Sequence, residues 1–246
     1  MTRAQLEPAW VLTVRPYRET SALVELFGRR HGRVGLVARG VRSGRARQRG
    51  GLLQPFQPLL VSFSERGELG TLGALEAAGA PILLRGEAVF SGWYLNELVL
   101  RLVPRRDPHP QLFEHYGGAL AELAGTRAGA ALRVFEKHLL TELGYGLQLP
   151  DPVEPDAWYR WDAEEGLRVA EPGPSSYSGA SLQALADETL DTPQSLRDAR
   201  RLMRAALRPH LGDRALRTPE MLRTLRAVRR AAGGGSAPDE GTRGRA

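Results

Sequence analysis

Near Ala80 the hydrophobic residues change their period, and this switch constrains the fold more than any other feature of the chain. Before it, AWVLTVRPYRE, SALVELFG, RVGLVARG, PLLVSFS and LGTLGALEA are short β-rich segments divided by Gly, Pro or charged turns. Ala22, Val24 and Leu26 alternate at period two within the second of them. Five strands in about 80 residues, with no helix of length, predict a small closed barrel. An OB-fold is the leading candidate, and an SH3-like barrel has a similar strand count.

After Ala80 the period is helical. Leu95, Leu98 and Leu102, then Phe113, Tyr116, Leu120 and Leu123, then Leu132, Phe135, Leu139 and Leu143 recur at spacings of three and four. Gly144 stands where a left-handed C-terminal cap belongs, and the Pro-rich LPDPVEPD ends the run. AWYRWDAEEGLRVA, residues 157–170, reads as a β-hairpin turning near Glu165 and Gly166, with Trp158 and Trp161 as packing residues or, where exposed, a pair able to stack on bases. Thr192-Pro193 and Thr218-Pro219 each set a capping hydroxyl before a proline and predict two further helix starts. The expected architecture is α+β: a five-stranded OB-fold barrel over 1–80, a mainly helical domain over 81–232 with a small β-hairpin insertion, and a disordered tail over 233–246.

Between Leu26 and Ser64 the chain carries eight arginines and no acid, where its average acid content predicts roughly four carboxylates. Arginine alone means little in a chain with one lysine, Lys137, but bias toward arginine does not explain the missing acids. The clustering marks a surface suited to a polyanion, and the net charge of +6 points the same way. A second set, Arg197, Arg200, Arg201, Arg204, Arg208, Arg223, Arg226, Arg229 and Arg230, lies opposite the apolar faces of the last two helices and could extend the field.

Catalytic constellations are missing. His31, His109, His115, His138 and His210 make no HxH or HExxH spacing, and there is no cysteine for thiol chemistry, disulfides or thiolate metal sites. Lys137 follows Glu136 and cannot belong to a GxxxxGK[ST] phosphate loop. No GxGxxG lies at a strand-to-helix junction, and Glu19 and Glu25 are too separated to suggest a two-metal nuclease. No apolar run approaches the roughly 20 residues that span a bilayer, and the N-terminus has no signal-peptide pattern, so a cytoplasmic binder is expected.

The series WVLTVRPYRETSALVELFGRRHGRVGLVARGVRS, LLQPFQPLL, YLNEL, LFEHYGGAL, LRVFEKHLLTELGYGLQL and ALRPHLGDRALRTPEMLR resembles the RecO family of bacterial recombination mediators, in matching order along nearly the whole chain. Some members carry a four-cysteine zinc module after the position of LGYGLQL; LPDPVEPD has no cysteine, so no metal and no other cofactor is carried over. The resemblance implies a non-enzymatic, nucleoid-associated DNA repair protein that binds single- and double-stranded DNA and anneals complementary strands. It also implies help in loading RecA, with RecR, onto strands coated by single-strand-binding protein, in the RecF pathway. The residues expected to meet DNA are Arg33, Arg39, Arg42, Arg45, Arg47 and Arg49, with Gly40 and Gly44 allowing turns or close backbone approach. The family also binds the acidic, apolar-ended tail of single-strand-binding protein. Leu132, Arg133 and Phe135 are the expected rim for it. The alternative reading is an RNA-binding OB-fold protein of translation or ribosome assembly. It fits less well, because Trp10, Tyr17, Phe27, Phe56 and Phe63 fall mostly at core positions and leave few aromatics for base stacking.

Overall fold

A computed structural model describes residues 2–42, 47–65, 67–212 and 214–233. β1 (Thr2–Tyr17), β2 (Ser21–Gly28), β3 (Gly32–Ala38), β4 (Pro58–Glu65) and β5 (Gly70–Ala77) close into a barrel in the order β1-β2-β3-β5-β4. β1 is long enough to pair with β2 through its C-terminal half and with β4 through its N-terminal half. β3 meets β5 in parallel at Leu36 and Gly70, and every other barrel pairing is antiparallel. This closed five-stranded path is an OB-fold. Period-two alternation puts Val24, Leu26, Val34, Leu36, Val61 and Phe63 in the barrel interior. Two register shifts, between Ala4 and Glu7 and between Val11 and Thr13, bend β1 so that one strand serves both neighbours.

A short helix, α1 (Arg47–Leu52), joins β3 to β4 and packs against β5. Its six residues, two of them glycine, are too few to carry a helical period. α2 (Glu87–Leu102), α3 (Pro110–Leu123) and α4 (Ala128–Glu142) follow the three apolar stripes. At the end of α4, Gly144 has φ 81°. Its amide donates to Thr141 O at 3.0 Å and that of Tyr145 to Leu140 O at 2.8 Å, the paired bonds of a Schellman cap. The hairpin is β6 (Trp158–Asp162) and β7 (Gly166–Ala170), and a third strand, β8 (Ser176–Ser178), joins the open edge of β6. Three residues give no periodicity, which is why β8 was not expected.

α5 (Gly179–Ala186), α6 (Pro193–Leu211) and α7 (Arg217–Gly233) complete the described chain. Thr192 caps α6 as expected, in a capping box with Ser195. The second expected cap requires correction: Thr218 lies inside α7. The carboxylate of Glu97 on α2 accepts the amides of Arg217 and Thr218 and the Thr218 hydroxyl, at 2.8 to 2.9 Å. A carboxylate meets the orphan amides and the positive end of the helix together, so it replaces the local hydroxyl.

Barrel and helices share one apolar cluster. Trp10, Leu12, Phe27 and Phe56 leave the barrel to pack with Leu95, Leu98, Phe113 and Tyr116. Trp10 and Tyr116 meet edge-on with centroids 5.7 Å apart. Gly117 allows this approach, since a Cβ there would lie 3.3 Å from the Trp10 ring. Asn96, the only asparagine of the chain, is buried in the seam and donates to Leu12 O at 2.9 Å, at the second register shift of β1, while Tyr116 donates to its Oδ1. Trp10, Phe27, Phe56 and Phe63 are all buried and offer no stacking surface.

Candidate nucleic-acid interface

Of the arginines of the acid-free stretch that are described, Arg29, Arg30 and Arg33 lie at one end of the barrel and Arg39 and Arg42 at the other, and only the second group has no ion pair among the described residues. At the β2–β3 turn each meets a partner from elsewhere in the chain. Arg29 pairs with Glu114 of α3 at 2.8 Å, and Arg30 pairs with Glu7 of β1 at 2.8 Å while its amide donates to the same carboxylate. Glu7 has no exposed surface. Burial by itself would raise its pKa, but the Arg30 amide and guanidinium and the His31 ring outweigh it and hold the carboxyl below its ordinary value. Glu25 of β2 receives Arg105, and Glu65 of β4 receives Arg106 at 3.3 Å, both from the segment between α2 and α3.

Arg33, an expected DNA contact, belongs to this paired end. Its guanidinium donates to Leu100 O at 2.8 Å and lies 3.9 Å from Glu25. Leu100 is in the last turn of α2, whose carbonyls have no intrahelical partner, so Arg33 caps that helix from the barrel. Burial lowers its pKa, and only 18% of the side chain is exposed. The geometry makes Arg33 a strut between barrel and helices. Gly32 beside it accepts no side chain, because a Cβ would lie 2.0 Å from Asp107 O.

At the opposite end the β1–β2 turn and the end of β3 come together. The register sets Pro16 against Ala22 and Ala22 against Ala38, and the amide of Arg42 donates to Thr20 O at 2.9 Å. Arg15, Arg18, Arg39 and Arg42 are all exposed here. Among the described residues none forms an ion pair, and Glu19 is the one acid of the turn. Arg42 donates to Arg18 O at 3.2 Å, and the Arg18 guanidinium lies 5.1 Å from the centre of the half-exposed Tyr17 ring. Arg18 turns the chain with φ 54° and Gly40 with φ 69°. No atom crowds a Cβ at Gly40, so that glycine serves turning rather than close approach.

Arg49 on α1 donates to Gly73 O of β5, which holds the short helix on the barrel. Arg45 and Gly44 lie outside the described residues, and so does the side chain of Arg47. The structure thus brings Arg39 and Arg42 together, separates Arg33 from them and adds Arg15 and Arg18. These last two precede the acid-free window; the available signal was RPYR beside a turn.

Of the three residues expected to hold a partner peptide, one is in the core and two are half-buried. Phe135 is 1% exposed and belongs to the shared core, because the α4 stripe turns it toward Tyr116. Leu132 is half-buried against the same core. Arg133 pairs at 2.9 Å with Glu136, whose carboxyl is fully buried, raised in pKa by that burial, and also receives the Tyr94 hydroxyl. Among the described residues no group of His, Asp or Glu is placed to hold a metal ion, and no helix is long and apolar enough to cross a membrane.

An OB-fold barrel with guanidiniums at one end that form no ion pair among the described residues, braced by helices at the other, presents a surface suited to a polyanion. Residues 1–80 match the family model for the recombination protein O N terminal, and residues 84–220 match that for the recombination protein O C terminal. A DNA repair protein RecO of Pseudomonas paraeruginosa is 47% identical over 219 residues, 86% of this chain and 92% of the relative. That of Nitrosococcus oceani is 48% identical over 220 residues, 85% of this chain and 89% of the relative. A RecO of Coxiella burnetii is 44% identical over 221 residues, 85% of this chain and 94% of the relative. The chain belongs to the RecO family of DNA repair and recombination proteins.

Proposed function

We propose that the chain is a non-enzymatic recombination mediator of DNA repair in the bacterial cytoplasm, working at the nucleoid. It binds single- and double-stranded DNA, anneals complementary strands, and with RecR helps load RecA onto strands coated by single-strand-binding protein. The observation that carries this reading is the unpaired arginine end of the barrel. Two strands repel through their phosphates, and a surface that neutralises both lowers the cost of bringing them together. The guanidinium suits the task, since its planar fork pairs with phosphate and also lies against a base. Such contacts carry affinity without a base code, so binding is insensitive to sequence.

Binding of a labelled single strand across a salt series tests this reading. Arg18→Ala/Arg39→Ala/Arg42→Ala removes three cations and reduces the slope of log affinity against log salt by about 2, at roughly 0.7 per phosphate contact on single strands. Annealing measured on the same samples falls with it. A wild-type slope in this variant, with its fold intact, moves the DNA site off the barrel.

The acidic tail of single-strand-binding protein is the protein partner we assign to the helical unit, with the accessible parts of Arg133 and Leu132 as its rim. A tail peptide that titrates Arg133→Ala with wild-type affinity removes that assignment.

A further inference from the structure

The β6–β8 sheet and α6 enclose an open cleft of about 500 Å³, which gathers Arg200, Arg201 and Arg204 of the second arginine set. Its walls carry Arg160 from β6, Arg200, Arg201 and Arg204 from α6, and the rings of Trp161 and Tyr177. No barrel residue lines it, so the cleft is distinct from the arginine end of the barrel.

Of its four arginines one is committed to the fold. Arg201 donates to Pro174 O at 2.6 Å and Ser176 O at 3.0 Å, pairs with Asp198 at 3.2 Å, and covers the Tyr177 ring at 4.8 Å. Arg160, Arg200 and Arg204 are exposed and make no hydrogen bond or ion pair among the described residues. Arg200 and Arg204 are one helical turn apart on α6, where like charges repel, with the buried Glu136 acting on both; Arg160 sits opposite Arg168, which pairs with Glu165, and acts on Asp162. Although its side chain is largely exposed, the Arg200 guanidinium has its pKa lowered, first by partial burial and then by Arg133, Arg204 and Arg226, while Glu136 acts the other way. Trp161 is half-buried, anchored in two apolar clusters, with part of its ring on the cleft wall.

We infer that this cleft is a second single-stranded nucleic-acid site, in which Arg160, Arg200 and Arg204 take neighbouring phosphates and the accessible part of Trp161 takes a base. Cations beside an aromatic surface in an open groove are how strands are held without sequence choice. A volume of about 500 Å³ exceeds a single phosphate and suits a nucleotide. The inference rests on the reading that the chain binds DNA, and it gives annealing two separated strand sites on one protein. An acidic peptide is the competing occupant. Four arginines and two aromatic rings lining one open cleft favour a strand.

The test uses the full chain and a labelled oligothymidylate across a salt series, with annealing and tryptophan fluorescence on the same samples. Arg200→Ala/Arg204→Ala retains the fold, because both side chains are exposed and alanine is the best helix former. Its salt slope drops by about 1.4, and that drop adds to the one caused by the barrel variant. Annealing falls about tenfold or more while the barrel still holds one strand. Trp161→Phe keeps the packing and an aromatic face, so binding changes little, while the part of the fluorescence quenching that comes from Trp161 is lost. Wild-type slope, quenching and annealing in the cleft variant overturn the inference while the barrel variant still loses binding. Loss of an acidic, apolar-ended peptide with full retention of the oligonucleotide overturns it in favour of a peptide site. Absence of oligonucleotide binding by the wild-type chain overturns the DNA reading itself.

Discussion

The two ends of the barrel use the same residue for opposite purposes. At the β2–β3 turn, Arg29, Arg30 and Arg33 are spent on Glu114, Glu7, Glu25 and a helix carbonyl, and they join the barrel to the helices. At the other end, Arg15, Arg18, Arg39 and Arg42 find no carboxylate partner among the described residues and face solvent. An arginine run therefore says less about function than its pairing does. Charge already neutralised inside the molecule contributes little to the field outside it. The comparison demands opposite phenotypes: variants of the paired end lose stability and keep the salt slope, whereas variants of the unpaired end do the reverse.

Glu7→Gln makes the largest difference at the paired end. It leaves the Arg30 and His31 partners around a buried neutral amide and costs about 3 kcal/mol at neutral pH. Because the folded pKa of Glu7 lies below the ordinary 4.5, its contribution is present above that value and is lost as pH falls through the folded pKa. Urea unfolding of wild type and Glu7→Gln thus shows a wide gap at neutral pH that narrows in acid, with DNA salt slopes that coincide. A gap unchanged in acid would mean that shape, not charge, holds the turn.

Arg33→Met comes next. The thioether chain fills the space of the arginine stem, but the Leu100 carbonyl loses its donor at the end of α2, at a cost of about 1 kcal/mol in urea unfolding. The salt slope stays at the wild-type value. A slope lowered by about 0.7 would instead return Arg33 to the DNA surface.

The contrast between the ends also marks where sequence reading stops. Strands and helices were legible because each element of sufficient length must keep one face in the core, and Leu95, Leu98 and Tyr116 report that face directly. α1 and β8 were too short to show a period. The acid-free window was visible, yet the acids that pair with Arg29, Arg30 and Arg33 were not: Glu7 lies 23 residues from Arg30, and Glu114, the partner of Arg29, lies on α3. Only closure of the barrel and docking of α3 bring them together. The same docking places Phe135 in the core, so a local string of apolar and basic residues could not distinguish a pocket rim from a buried stripe. Trp161 shows the converse, a packing residue whose remaining surface lines a cationic cleft.

Arg15 makes the smallest difference and the cleanest test of the unpaired end, since it lies outside the acid-free window and was not expected to contact DNA. It projects from β1 opposite Leu23, on the strand that leads into the arginine turn, and it forms no hydrogen bond among the described residues. Arg15→Ala therefore changes stability by less than about 0.5 kcal/mol, as an exposed substitution with no lost partner should. If Arg15 shares the phosphate track of Arg18, Arg39 and Arg42, the same variant lowers the salt slope by about 0.7. A fall in slope without a fall in stability extends the DNA surface back along β1. An unchanged slope confines that surface to the turn and the end of β3, and leaves Arg15 as a solvated charge outside it.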